Sequence, residues 1–313
     1  MKLQTPVADE RCKVGISYKD SIMMLGSCFT DNIGTQLKNY GFDVCVNPFG
    51  TLYNPASIHA SVKRLLSGEP FREDDCMEIG AGDMRICSFS HHTSFARKNC
   101  GEFVADANRA LEEACAFFAK CSKVIITLGT SWCYRHVEKD MIVSNCLKRN
   151  PKEFERLLLK ADETASLLKE IVGMCLDKEF IFTVSPIRHF KDGAHGNQLS
   201  KASLLLGISE LTDSGCDYFP AYELVIDELR DYRFYADDML HPSKVAIDYI
   251  WKRFSDKYFS VQTIDLITKA TKLTQRLKHR PLTDNVAQIN KFNSETERLI
   301  SEFIATHPFL QKP

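Results

Sequence analysis

Short apolar runs alternate along this chain with longer stretches whose apolar residues recur every three or four positions. Residues 21–25, 43–47, 123–128 and 179–184 read as strands, and 216–219 as a short fifth. Helical spacing marks residues 29–40, 55–66, 103–118, 151–174, 199–211, 222–229 and 243–254. Within one of them, Val104, Ala107, Leu111, Ala114 and Phe118 fall on a single face. Residues 76–95 carry Gly80 and Gly82 in mixed alternation, which predicts an irregular or hairpin-like insertion. Strands alternating with helices predict a parallel sheet covered on both faces, and the strands are short and continuously apolar as burial on both sides requires. Ligands of such sheets bind beyond the carboxyl ends of the strands. The tail, residues 261–309, has no strand signal and spaces Val286, Ile289, Phe292, Leu299 and Phe303 as a helix. It predicts a helical hairpin, either packed on the sheet domain or forming a dimer contact.

Composition narrows the class. With 44% hydrophobic and 26% charged residues, the 313-residue chain can bury a large core and is neither disordered nor low-complexity. Lys and Arg number 40 against 41 Asp and Glu, so the net charge of −1 argues against nucleic acid or an anionic membrane as partner. No apolar run approaches the ~20 residues a membrane-spanning helix needs. Residues 1–13 are polar and lack the apolar stretch of a signal peptide, which predicts a cytoplasmic protein. None of the 12 cysteines is spaced Cys-x-x-Cys. Scattered free thiols in a reducing compartment fit better than a disulfide scaffold or a zinc site, and no metal or other cofactor is expected.

The residues after each strand carry the candidate chemistry. After the first come Gly26-Ser27-Cys28-Phe29, then a helix. A serine at such a turn either caps the helix or serves as a nucleophile beside the helix N-terminus. After the second, Gly50 either closes a plain turn or offers its N–H to an oxyanion. Gly129-Thr130-Ser131-Trp132 and Ser185-Pro186-Ile187-Arg188-His189 follow the third and fourth. Near the end, Asp238 and His241 are three apart, so one helical turn would put them on one side. The carboxylate could then set the imidazole tautomer while the other ring nitrogen takes a proton from a serine; otherwise they are a capping Asp and a solvated His.

Together these pieces resemble the SGNH/GDSL hydrolase superfamily, and more closely the GSCFA family, whose name appears here as Gly26-Ser27-Cys28-Phe29-Thr30. The likeness extends through Asn47-Pro48-Phe49-Gly50-Thr51-Leu52-Tyr53-Asn54-Pro55, Thr127-Leu128-Gly129-Thr130-Ser131-Trp132 and Ser144-Asn145-Cys146. It continues in Ser185-Pro186-Ile187-Arg188-His189, Gly196-Asn197-Gln198-Leu199-Ser200-Lys201-Ala202 and Tyr235-Ala236-Asp237-Asp238-Met239-Leu240-His241-Pro242-Ser243, covering residues 20–255. It implies an α/β fold: a three-layer sandwich with a mostly parallel, flavodoxin-like sheet of SGNH hydrolase type. A hydrolase domain would span residues 1–255, and a C-terminal helical extension packed on it 256–313.

The resemblance makes Ser27 the nucleophile, His241 the general base and Asp238 its orienter, with the N–H groups of Ser27 and Gly50 as oxyanion donors. One departure is the superfamily's Gly-x-Asn-Asp motif, which here reads Gly129-Thr130-Ser131-Trp132. The missing donor is ranked as Asn145 first, with Ser131 and Thr130 as alternatives. Asn47, Trp132, Arg188 and His189 are candidates for substrate contact, although Trp132 fits a core position better. His91 and His92 sit in the insertion, which reads as a lid or a surface loop; His195, Asn197 and Lys201 cluster in the same matching strings. The expected activity is a serine esterase acting on an O-acyl ester, such as an acetylated carbohydrate, through an acyl-serine. The alternatives are an O-acyltransferase with the same triad, a thiol hydrolase using Cys28, whose side chain is expected to point elsewhere, and a catalytically weak glycan- or ester-binding module. The partner expected is a small-molecule or carbohydrate ester, with homo-oligomers through the C-terminal helices left open.

Overall fold

A computed structural model describes residues 5–8, 12–279 and 285–307. Phe309, the end of the expected helical tail, lies outside them, as do residues 1–4 and 9–11 of the segment on which the leader reading rests.

Five strands form a parallel sheet: β1 (Ser21–Gly26), β2 (Asp43–Val46), β5 (Lys123–Leu128), β9 (Glu179–Val184) and β10 (Asp217–Phe219), ordered β10-β9-β5-β1-β2. Counted in chain order this is the flavodoxin-like 2-1-3-4-5 arrangement. Register runs Ile22↔Lys123, Lys123↔Glu179 and Ile181↔Asp217 across the centre. Successive side chains on a strand face opposite ways, and the core divides accordingly. Met23 and Leu25, Val124 and Ile126, Phe180 and Phe182 enter one apolar cluster; Ile22, Met24, Ile125 and Ile181 enter the other. The first is roofed by α2 (Pro55–Ser67), α3 (Cys100–Lys120), α4 (Ala161–Met174) and α5 (Gly193–Thr212), and the second by α1 (Cys28–Asn39) and α7 (Lys244–Tyr258). The result is a three-layer sandwich.

Local chemistry places the helix ends. Ser27, Asn54, Asn99 and Ser243 each cap a helix through a side-chain oxygen. Pro242 directly precedes the Ser243 cap of α7. Gly26, at φ 147°, lies so close to β5 that a Cβ would sit 2.2 Å from the Thr127 carbonyl oxygen, which only glycine tolerates.

The stretch 151–174 is not one long helix. Residues Phe154–Leu158 form a strand, β8, pairing antiparallel with β6 (Trp132–His136), which also pairs with β7 (Met141–Val143). The helix begins only at Ala161, where the Glu163 carboxylate accepts from the Lys160 N–H at 2.7 Å. The run Phe-Glu-Arg-Leu-Leu has good helix formers, but pairing with β6 overrides that preference. The 76–95 insertion contains the expected short hairpin, β3 (Met77–Glu78) with β4 (Ile86–Cys87). Cys76 bonds to Cys100 in a disulfide, so these two are not the free thiols expected; the other ten cysteines are free.

After β10, α6 (Ala221–Glu223) runs into a π turn over Leu224–Glu228. The tail folds as α8 (Val261–Lys278) and α9 (Val286–Thr306), with Leu266, Ile267 and Phe303 packed against the second cluster. No helix among the described residues is long and apolar enough to cross a membrane. Nor do three or more His, Cys, Asp or Glu side chains among them gather as a metal would require.

Candidate active site

The segments following the carboxyl ends of β1, β5 and β9 meet the loop before α7 around a pocket of about 500 Å³. That loop is stiff. Tyr235 and Pro242 form a bridge, and the Ala236 N–H donates to the His241 carbonyl at 2.8 Å. Asp238 Oδ1 accepts from the backbone N–H groups of Leu240 and His241, both at 2.9 Å, and Oδ2 takes the imidazole Nδ1–H at 2.5 Å. The two side chains therefore meet on a tight turn rather than on a helix. The backbone donors of His241 and Leu240, with the imidazole, hold the Asp238 carboxyl at about 2, so it is ionised at any working pH. With Nδ1 carrying the proton, Nε2 is free to act as a base.

The atom facing Nε2 is the sulfur of Cys28, at 3.8 Å. Ser27 is turned inward. It is 1% exposed, its hydroxyl accepts from the Phe29 N–H at 3.3 Å, and its own N–H donates to the Thr127 carbonyl at 3.2 Å. Capping explains both orientations. The N-cap side chain must fold back onto the first turn, which leaves the next residue, Cys28, to face the opening. Burial raises the Cys28 thiol above its ordinary value and Asp31 adds to this, while the N–H groups of Cys28 and Phe29 oppose them. The resting Cys28 is thus a neutral thiol facing the imidazole.

The expected oxyanion donors are differently engaged. The Ser27 N–H is bonded to Thr127, and the Gly50 N–H closes a turn onto the Asn47 carbonyl at 2.8 Å. Asn145 uses its side-chain oxygen to accept from the Leu147 N–H at 2.8 Å and does not line the pocket, whereas its neighbour Ser144 does. Ser131 is fully buried with its hydroxyl unpartnered, and Thr130 lines the pocket while sharing its hydroxyl with Ser200 at 2.9 Å. A different amide is available. Asn54 lines the pocket, and its Oδ1 is committed to capping α2 through the Ser57 N–H at 2.8 Å, which leaves Nδ2 as the free end. The Asn54-Pro55 pair signals a helix start in the sequence; only the fold brings it opposite Cys28.

Of the candidate contact residues, Arg188, His189 and Trp132 line the pocket and Asn47 does not. Asn47 ties β1 to α1, accepting from the Gly26 N–H at 2.9 Å and donating to Asp31 at 2.7 Å. Trp132 is a half-buried wall residue rather than a core one, with the Arg156 guanidinium 4.3 Å above its ring. Arg156 pairs with Asp192, but Arg188 has no carboxylate partner among the described residues and its Nε is buried unpartnered. His189 donates its backbone N–H to Asn197 at 3.0 Å and packs against the Tyr53 ring. Lys201 is buried beneath the site and ties the strand ends together, its ammonium donating to the Gly129 and Ser185 carbonyls, both at 2.7 Å. Burial lowers it to about 7. His195 is exposed on α5.

A family model described as the GSCFA family matches residues 21–254. The chain belongs to the GSCFA family. The match runs from the first residue of β1 into α7, so it includes Cys28, Asn54, Asp238 and His241. The wider SGNH/GDSL likeness of this GSCFA protein rests on its motifs alone. No curated protein matches the chain.

His91 is no lid residue in this GSCFA protein. It lies fully buried against Phe49, Phe71, Phe95 and Phe103, with Nδ1 on the Ser88 hydroxyl at 2.7 Å. Burial holds His91 at about 3. His189 is held at about 4, by burial first and then by the charges of Lys201 and His241. Both folded-state values lie below the ordinary 6.5, so on acidification the unfolded chain takes up protons that the folded one refuses. Stability is full above about pH 6.5 and falls as pH drops toward 4. Thermal unfolding between about pH 7 and 4 should show Tm declining, less steeply in His91→Phe. An unchanged slope in that variant would remove His91 from the acid sensitivity.

Proposed function

We propose that the chain is an acyl-ester hydrolase that works through an acyl-cysteine on Cys28. The observation that carries this reading is the placement of the Cys28 sulfur on His241 Nε2 while Asp238 holds Nδ1. Cys28 Sγ attacks the ester carbonyl carbon as its proton passes to Nε2. The tetrahedral oxyanion is held by the N–H of Cys28, the first residue of α1, and by Asn54 Nδ2. Collapse breaks the bond to the alcohol oxygen, which leaves with the proton from His241. Water then attacks the thioester with His241 again as base, the carbon–sulfur bond breaks, and the sulfur recovers its proton. The sum is ester plus water giving acid plus alcohol. Tyr53, Trp132 and Tyr134 give the pocket aromatic walls, and Arg188 and Lys191 give it positive charge with no carboxylate partner among the described residues. These walls suit a ring-bearing alcohol, such as a sugar, that carries an anionic group.

The test is to quench a reaction with p-nitrophenyl acetate in acid and map the acetylated peptide by mass spectrometry. An acetyl group on Cys28 supports the reading. Acetyl on Ser27, or turnover with no acetyl-enzyme under single-turnover conditions, sinks it.

A further inference from the structure

A second cavity of about 500 Å³ lies beside the reaction pocket and shares Arg188, Phe190 and Leu240 with it. These three make the partition, and the Arg188 N–H donates to the Leu240 carbonyl at 3.4 Å across it. Leu240 is the chain neighbour of the base His241. The remaining wall is apolar, chiefly Val225, Ile226, Leu229 and Tyr235. The charged rim residues are engaged: Arg230 with Asp227 at 3.3 Å, and Asp231 with the Arg233 N–H at 2.9 Å. Apart from the Arg188 guanidinium on the partition, the cavity therefore presents apolar wall and attracts apolar matter.

Two backbone irregularities build this cavity. Val225 and Ile226 belong to the π turn over Leu224–Glu228, a widened coil that recurs at functional sites. Met239 has φ 58°, a left-handed conformation uncommon outside glycine and asparagine, and it sits two residues before the base. Among its lining residues, Phe190 is 48%, Tyr232 77% and Met239 48% exposed, leaving apolar surface in water at this cavity.

We propose that this cavity is the acyl-chain chamber of the site, so that the substrates are esters of extended apolar acyl groups rather than acetyl esters. The inference rests on the acyl-cysteine reading, because a carbonyl at Cys28 sends its alcohol toward Trp132 and Tyr134 and its chain over Leu240. The shared partition sets this cavity directly beside the reaction pocket, which favours a substrate chain passing over Leu240 rather than a separate protein partner. Each methylene buried in such a chamber raises kcat/KM about three- to fourfold until the chamber is filled.

The test compares p-nitrophenyl acetate, hexanoate and decanoate with the wild type, Ile226→Trp and Met239→Asn. Ile226→Trp narrows the chamber, and Met239→Asn removes an apolar wall while suiting the left-handed backbone, so it remains informative if the tryptophan variant does not fold. The wild type should prefer hexanoate over acetate by at least about tenfold. That ratio should fall at least about tenfold in Ile226→Trp and fall in the same direction in Met239→Asn. Turnover of acetate that requires Cys28, with no gain from chain length and no change of ratio in either variant, overturns the chamber and leaves the acyl-cysteine standing. Turnover of no ester at all sinks the acyl-cysteine instead. The chamber is then judged by dansyl-undecanoic acid fluorescence: binding that Ile226→Trp abolishes supports an apolar chain site, and no binding overturns it. If Ile226→Trp instead turns a dimer into a monomer with ester preference intact, the cavity is a face between copies of this chain and the proposal falls.

Discussion

Cys28→Ala is expected to lower kcat/KM for ester hydrolysis by at least about 10³-fold, because loss of the nucleophile leaves only binding and oxyanion contacts. Ser27→Ala should behave differently. Its hydroxyl accepts from the Phe29 N–H and is shut away from the pocket, so its loss removes a helix cap and about 1 kcal/mol of stability while most turnover remains. Steady-state kinetics with denaturant unfolding on the two variants separate chemistry from folding. The reverse pattern, an active Cys28→Ala and a dead but folded Ser27→Ala, would return the nucleophile to the serine. Iodoacetamide should likewise inactivate the wild type by alkylating Cys28, at a rate that rises with pH because burial favours the neutral thiol.

His241→Ala should cost about as much as Cys28→Ala, and the double variant little more, since nucleophile and base act as one unit. Asp238→Asn divides two jobs of one carboxylate. An asparagine oxygen can still accept from the Leu240 and His241 N–H groups, so the loop keeps its shape, but the second oxygen that receives the imidazole Nδ1–H is gone. The Asp238 side chain is 46% exposed, so water can partly replace it, and a loss of about 10²-fold is expected. Asp238→Ala, which also frees the two backbone donors, should lose more and should lower Tm. Full activity of a folded His241→Ala would exclude the base and favour a binding module on the same fold.

The sheet and its covering helices were legible because their signals are local. In β1, β5 and β9, alternate apolar residues feed two separate cores, and runs such as Val124–Ile126 are apolar throughout because both faces are buried. Helix starts were legible at Asn54-Pro55 and at Ser243, where capping chemistry lies within four residues of chain. The motifs Gly-Ser-Cys and Asp-x-x-His pointed to the carboxyl rim of the sheet, where Cys28 and His241 line one pocket. What the sequence left open were distinctions that a few atoms decide. The resemblance favoured Ser27 and turned Cys28 away, but the N-cap hydrogen bond points Ser27 inward and leaves Cys28 3.8 Å from the imidazole. Asn145 and Asn54 are equally good amides on paper, but one closes its own loop and the other reaches the pocket. Residues 154–158 carry helix-forming side chains and become a strand only because β6 is there to pair with them. Local periodicity and capping therefore determined the elements and their order. The antiparallel sheet, the seat of Asn54 in the pocket and the two adjoining cavities were decided by contacts between residues far apart in the chain, which no local preference encodes, whereas the turn of Ser27 rests on a local cap bond that the sequence offers without selecting it.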